Sequence, residues 1–343
     1  MKILLFTDLH MCPRASIINK WGVKYPLRLE NCIKSVNWVE RLAESEGCSL
    51  IINLGDFYDR PDLSSETITA STDIEWSAIP HYSLVGNHDA SVSSLEFNSV
   101  NNLLGPGHTI VTEPIQLSID DVELCFLPYI VESDRHALKS YFNYHPNKKH
   151  IILSHNDLNG IQLGPVVSKT GFTIEEIEAC CDLFLNGHLH NGQKITEKVI
   201  NLGNLTGKDF GEDASKHAHK IAILDTDTLS LSFIENPFAF NFYKIQIECE
   251  EELRKLQVLK DNAVVSVKCP KNLVEDVRAT ITETSNIIES RVIIIRTQDD
   301  MTESSGTGIE LTAVDHLARF VECCKVNIDN TKILDEELAE VCK

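Results

Sequence analysis

Five short clusters of Asp, His and Asn carry the chemistry available to this sequence. They are Asp8-Leu9-His10, Gly55-Asp56 with Asp59, Gly86-Asn87-His88-Asp89, His155, and Gly187-His188-Leu189-His190. Carboxylate and amide oxygens combined with imidazole nitrogens ligate first-row divalent metals, and no thiolate is needed. A carboxylate at Asp56 has two oxygens and can bridge two cations. Gly55 before it lets the backbone approach closely or bend sharply. Asn87 offers a neutral carbonyl oxygen, and His155, His188 and His190 offer neutral imidazoles. His88, beside Asn87, is expected to point past the metals toward substrate, with Asp89 orienting its ring. Any one of these residues alone reads as an ordinary hydrogen-bonded loop or core residue. Their joint placement is what argues for a site.

That placement depends on the elements before each cluster. Lys2 to Phe6, Leu50 to Leu54, His81 to Val85 and His150 to Leu153 are strand-like apolar runs that end at four of the clusters, and Cys181 to Leu185 ends at the fifth. Ligands delivered from several strand ends converge on one sheet edge. Leu29 to Glu46 has a helical pattern with apolar Ile33, Val36, Val39 and Leu42 before Gly47, and Ser64 to Ser77 has a second. The short apolar runs between such helices suit buried strands. Pro114 to Ile119 and Val122 to Phe126 alternate about Asp120-Asp121, which is a hairpin signal. A second hairpin is expected from Lys198 to Asn201 and from Lys220 to Ile234, turning at Asp225-Thr226-Asp227.

These patterns predict an α/β (α+β) fold. Residues 1–240 form a two-sheet sandwich flanked by helices. Residues 241–297 form a small βαβαβ cap domain, joined near Pro237 and Phe238-Ala239-Phe240. Residues 298–343 begin with a flexible linker around Ser304-Ser305-Gly306-Thr307-Gly308. They continue as a C-terminal helical tail with apolar faces at Leu311, Val314, Leu317, Phe320 and Val321, then at Ile333, Leu334, Leu338 and Val341. That tail docks either on a partner or back on its own domain. The helical stretch expected after Asp89 is a candidate dimer interface.

Composition narrows the function classes. With 43% apolar and 24% charged residues, the 343-residue chain has the balance of a globular protein. No run approaches the roughly 20 apolar residues of a membrane helix. Asp8 and His10 interrupt the N-terminal apolar run, which reads as a first buried strand rather than a signal peptide. Eleven cysteines, an odd number without C-x-x-C spacing, fit reduced buried thiols in the cytoplasm. The net charge of −20 counts against a nucleic-acid enzyme acting alone, since such proteins carry a basic footprint. Divalent cations would reverse the field within the site but not over the whole surface. Either the substrate is small or a partner subunit supplies the basic surface. His108, His136, His145 and His150 are expected to face solvent. His217 and His219, after the segment Gly203 to Gly211, are candidates to touch substrate.

The order Asp-x-His, Gly-Asp, Gly-Asn-His-Asp, His, Gly-His-x-His resembles the calcineurin-like metallophosphoesterase superfamily over residues 1 to 236. The resemblance implies two divalent metal ions. It puts Asp8, His10, Asp56 and His190 on the first and Asp56, Asn87, His155 and His188 on the second, with Asp56 bridging. Two such cations activate water and clamp a phosphate for in-line attack, with His88 assisting the leaving group. The run Gly55-Asp56-Phe57-Tyr58-Asp59-Arg60 is similar to protein Ser/Thr phosphatases, which carry Glu where this chain has Asp89. The order of core, βαβαβ unit, linker and helix pair is similar to the bacterial SbcD nuclease subunit and its phage relatives. That second likeness implies Mn2+ (or Mg2+), DNA as substrate, and an SMC-like, SbcC-like ATPase gripped by the C-terminal helices. It also implies a homodimer within a heterotetramer and no membrane partner. Three readings follow: a DNA exonuclease or endonuclease of recombination, repair or degradation; a small-molecule phosphodiesterase or protein Ser/Thr phosphatase; and a scaffold with a degenerate metal site. The full ligand set argues against the last.

Overall fold

A computed structural model describes residues 1–91, 94–102, 107–163 and 166–295. The chain runs β1 (Lys2–Phe6), α1 (Leu27–Ser45), β2 (Leu50–Asn53), α2 (Ser65–Ser71), β3 (His81–Leu84), β4 (Ala90–Ser91), β5 (Ser94–Asn98), β6 (His108–Val111), β7 (Ile115–Ile119), β8 (Val122–Leu127) and β9 (Lys149–Ser154). It continues through β10 (Gln162–Leu163), β11 (Val166–Val167), α3 (Ile174–Glu178), β12 (Leu183–Asn186), β13 (Gln193–Lys194), β14 (Val199–Asn201), β15 (Lys220–Asp225) and β16 (Ser230–Glu235). A last stretch holds β17 (Asn241–Gln246), α4 (Arg254–Gln257), β18 (Ala263–Pro270), α5 (Val274–Glu283) and β19 (Ile287–Ile295).

Two six-stranded sheets form the sandwich, ordered β16-β15-β1-β2-β3-β6 and β13-β14-β12-β9-β8-β7. Strands β1, β2, β3 and β6 are mutually parallel, and so are β8, β9, β12 and β14. Parallel central strands are buried on both faces, which is why β1, β2, β9 and β12 read as largely apolar runs, while β3 and β6 are more polar. The layer between the sheets contains Ile3, Leu5, Ile52 and Leu84 from one and Leu124, Phe126, Ile151, Leu153 and Leu185 from the other. Because the central strands run parallel, the residues following β1, β2, β3, β9 and β12 emerge at strand C-terminal ends.

Helix α1 lies on the outer face of the first sheet. Leu29, Cys32, Val36, Val39 and Ala43 recur at helical spacing and are buried. Gly47, at φ +66°, ends it in the left-handed conformation that suits glycine. Helix α2 starts where expected, with the Ser64 hydroxyl accepting the Thr67 N–H. It stops at Ser71 instead of Ser77. The hydroxyls of Thr69, Ser71 and Thr72 bond back to the carbonyls of Ser65, Ile68 and Thr69, a local competition that weakens helix continuation.

Three other expectations change. Strand β14 is buried throughout and pairs with β12 and β13 in the second sheet, so only Lys220–Asp225 and Ser230–Glu235 form the hairpin. Among the described residues after Asp89, β4 and β5 pair antiparallel and a 3-10 turn follows at Ser99–Asn102 in place of the expected helix. Asn98 there bonds the Leu95 carbonyl, the habit of a turn-forming side chain. His150 is buried rather than facing solvent, taking the His145 N–H, and His108 is half-buried, edge-on against Trp76 and His81.

The third sheet, β17-β18-β19, belongs with the sandwich to one compact unit spanning Met1–Ile294. It has a core of its own, with Tyr243, Ile247, Val265, Val267, Leu273 and Val277. It also packs on the sandwich side, where Phe240, Phe242 and Val264 meet Ala15, Ile18 and Phe210. The linker and tail over 298–343 lie outside the described residues, as do Cys323 and Cys324. Among the described residues Cys12, Cys32, Cys48, Cys125, Cys181 and Cys269 are buried thiols, and burial pushes Cys32 up to about 12, where it is inert. No described helix is long and apolar enough to cross a membrane.

Candidate metal centre

The loops after β1 and β2 zip together through main-chain bonds from Asp8, His10 and Met11 to Gly55, Asp56 and Phe57. That pairing holds Asp8, His10 and Asp56 in the left-handed region, at φ +52°, +47° and +52°, and His188 joins them at +72°. Non-glycine residues there are uncommon and costly, and they cluster where a site must be built. Two glycines allow the loops to close. A Cβ on Gly86 would stand 2.1 Å from Asp56 Oδ1, and one on Gly187 would stand 2.2 Å from Thr7 Oγ1.

Two half-sites meet at Asp56. In the first, His10 Nε2 and His190 Nε2 are 2.9 Å apart. His190 Nδ1 bonds Glu212 Oε1 at 2.8 Å, and His10 Nδ1 faces Asp59 Oδ1 at 3.4 Å. Glu212 fixes the proton of His190 on Nδ1 and leaves its Nε2 as a lone pair, whereas Asp59 faces His10 Nδ1 at ion-pair distance without a formed hydrogen bond. Asp8 Oδ1 lies 3.8 Å from His10 Nε2 and 4.0 Å from His190 Nε2, buried and without a hydrogen-bond partner. Its other oxygen accepts from Thr7 Oγ1 at 2.6 Å and from the His188 N–H at 3.0 Å. In the second half-site, Asn87 Oδ1 lies 2.9 Å from His188 Nδ1 and 3.3 Å from His155 Nε2. The opposite nitrogens are already committed: His188 Nε2 to Asp157 Oδ1 at 3.1 Å, and His155 Nδ1 to the Leu54 carbonyl at 2.8 Å.

Both half-sites therefore bring acceptor atoms face to face, and positive charge must lie between them. Protons on the His155 and His190 imidazoles, which the neighbouring carboxylates raise against burial, or a divalent cation would supply it. The donor set of imidazoles, carboxylates and one amide oxygen fits such an ion. Asp56 sits where it can serve both, with Oδ2 3.2 Å from His155 Nε2 and 3.7 Å from His10 Nε2. Burial opposes its ionisation, but His155 and His10 hold its carboxyl well below the usual range. Burial alone would lower the His155 imidazole, yet Asp56, with Asp8 and Asp89, raises it to about 9. Carboxylates that draw positive charge onto a buried imidazole make a site suited to cations. All seven residues expected as ligands are brought together here.

His88 lies against this cluster, its ring edge-on to His10 with centroids 4.8 Å apart. One of its ring nitrogens is close to the donor atoms of His10 and Asp56, all three within 4.8 Å of one another. Its Nδ1 bonds the Asp59 carbonyl at 3.0 Å, which leaves Nε2 available. The expected pairing of Asp89 with this ring is not found. Asp89 is fully buried and accepts the backbone N–H groups of Tyr58 (2.8 Å), Gly86 (3.1 Å) and Phe57 (3.3 Å). It ties the loops after β2 and β3 together, and main-chain donors from both loops take its oxygens in place of its chain neighbour. Burial and the Asp56 charge push its carboxyl up.

Four contributors carry no motif. Asp157 and Glu212 hold the rings of His188 and His190. Lys208 pairs with the Asp59 carboxylate, and its N–H bonds Glu212 Oε2 at 2.7 Å. Arg28, fully buried on α1, donates to the carbonyls of Leu9 (2.7 Å) and Gly207 (3.0 Å), pinning the first ligand loop from behind. Only Asp157 had a usable signal, two residues after His155. His219, a candidate substrate contact, is instead buried with Nδ1 2.8 Å from Asn204 Oδ1.

Two cavities reach residues of this region. One of about 340 Å³ touches it at Asp59, with Met11, Arg14 and Arg60 also lining it and none of the seven ligand residues. The other, of about 650 Å³, lies at the Asn87 end, lined by Asn87, Leu95, Tyr129 and Tyr141.

A family model described as calcineurin-like phosphoesterase matches residues 1–192. No curated protein matches the sequence. Among solved structures, the calcineurin-like phosphoesterase YfkN from Bacillus subtilis aligns at 12% identity over 68% of this chain and 88% of its own, with a TM-score of 0.36. A dimetal phosphatase from Danio rerio aligns at 12% over 69% and 99%, with a TM-score of 0.41. A metallophosphoesterase from Sphaerobacter thermophilus aligns at 16% over 68% and 88%, with a TM-score of 0.30.

Proposed function

The chain belongs to the calcineurin-like phosphoesterase family, hydrolases of phosphoesters that typically use two divalent metals, and from that premise we propose that it is a manganese-dependent DNA phosphodiesterase. In this reading Asp8, His10, Asp56 and His190 hold one cation and Asp56, Asn87, His155 and His188 hold the other. When bound, the pair supplies an activated water and neutralises phosphate charge. His88 gives a proton from Nε2 to the leaving oxygen, its ring fixed by the Asp59 carbonyl. Asp89 positions the loop that carries His88.

The observation that carries the choice of substrate is the pair of cavities. A terminal phosphate needs room on one side only. Space beside Asp59 on one side and beside Asn87 on the other suits a phosphodiester whose chain continues in both directions. The βαβαβ unit after the sandwich supports an SbcD-like nuclease subunit. The charge of −20 supports a division of labour, with an SMC-like ATPase contributing the basic DNA-binding surface to a heterotetramer built on a homodimer of this chain. The buried, reduced thiols fit work in the cytoplasm. One observation favours a second reading: Gly55 to Arg60 is similar to protein Ser/Thr phosphatases, and Arg60 lines the cavity that touches Asp59.

The deciding experiment compares hydrolysis of linear duplex DNA, cyclic nucleotides and phosphopeptides by the purified chain with manganese, with and without the ATPase. DNA is expected to be cleaved fastest, and more so with the ATPase. Faster turnover of phosphopeptides or cyclic nucleotides overturns the nuclease reading. Tight DNA binding by the chain alone at physiological salt overturns the division of labour.

A further inference from the structure

The irregular segment from Gly207 to Ala214 touches the first half-site on one side and the third sheet on the other. Toward the centre, Glu212 bonds His190 Nδ1 with one oxygen and the Lys208 N–H with the other. Lys208 Nζ grips the Asp59 carboxylate that faces His10 Nδ1. The path His10–Asp59–Lys208–Glu212–His190 thus closes on itself around the place where the two Nε2 atoms meet. Toward the third sheet, the N–H groups of Gly207 and Ala214 bond the carbonyls of Phe240 (3.1 Å) and Phe242 (2.9 Å). Between them the Phe210 ring stands edge-on to Phe242 at 5.1 Å, and the Arg291 guanidinium of β19 covers it at 4.5 Å. Phe210 is buried in the cluster that joins the sandwich to the third sheet.

The second half-site has no such link. His155 is fixed by a main-chain carbonyl next to β2, and His188 by Asp157. Neither partner lies in 207–214.

We infer that Lys208 and Glu212 are positioning residues for the first cation alone, and that the Phe210–Arg291 contact sets their placement, so the third sheet controls the affinity of one metal and not the other. This rests on the two-cation reading. A carboxylate behind a ligating histidine fixes ring orientation and basicity, so its loss weakens the metal without removing a ligand. A shift of the third sheet moves Phe210, and with it both carboxylate contacts.

The test is manganese titration of the full chain, with free Mn2+ followed by electron paramagnetic resonance. Two sites are expected in the wild type. Glu212→Gln weakens one of them by about 10- to 100-fold. Arg291→Gln, at an exposed strand position whose side chain meets Phe210 and Ser266, weakens the same site by about two- to fivefold. In the double variant the two losses do not add, because both act through one segment. A wild type with two sites and an Arg291→Gln variant that leaves both unchanged, weakens both equally, or adds independently to Glu212→Gln overturns the inference alone. A wild type that binds no manganese overturns the two-cation reading as well.

Discussion

The two halves of the centre use the same ligand chemistry but are supported differently. In the first, both histidines face carboxylates, Asp59 and Glu212, and Lys208 connects these two. Glu212 is 3% exposed, and burial notwithstanding, His190 holds its carboxyl down to about 2. In the second, one histidine is held by a main-chain carbonyl and the other by Asp157, which is 30% exposed. A buried charge-assisted bond is screened little, whereas a wetted one is screened substantially. The first half-site therefore depends on side chains brought in from distant sequence. The second is fixed largely by the strands that carry it.

The most severe way to break this contrast is to remove the residue both halves share. Asp56→Asn should abolish tight manganese binding at both positions and lower phosphoester turnover by about 10³-fold, or about 4 kcal/mol. Survival of two tight sites would show that Asp56 does not bridge. His88→Ala comes next. It should lower kcat by about 10²-fold while manganese titration still shows two sites; unchanged kcat removes His88 from proton transfer, and a lost site makes it a ligand. The smallest effect sharpens the contrast. Asp157→Asn should weaken only the second manganese site, by about tenfold, less than Glu212→Gln weakens the first. A greater loss from Asp157→Asn would reverse the ranking of the two halves.

Much of this was readable from the chain. Strands β1, β2, β9 and β12 are buried on both faces over most of their length and read as apolar runs, whereas β3 reads His81-Tyr82-Ser83-Leu84 and is marked by the Gly86-Asn87-His88-Asp89 cluster after it. That made β1, β2, β3, β9 and β12 and all seven convergent side chains legible. The turn at Asp225-Thr226-Asp227 that joins β15 to β16 was legible too, but the sheet that takes Val199-Ile200-Asn201 was not, because a three-residue buried run suits either sheet equally. Asp89 was misread because sequence adjacency to His88 said nothing about the amides of Phe57 and Tyr58 across the fold. Lys208, Glu212 and Arg28 were invisible for the same reason: each acts on a residue at least 18 positions away.

The order of residue types along this chain determined the chemistry, since ligand identity depends only on side-chain composition, and strand-end placement follows from local hydrophobic patterning. Tertiary packing alone decided which carboxylate stands behind which imidazole. Those contacts join loops from separate elements, and the hydrogen bonds that orient a ring depend on geometry within a few tenths of an ångström, which no linear spacing encodes.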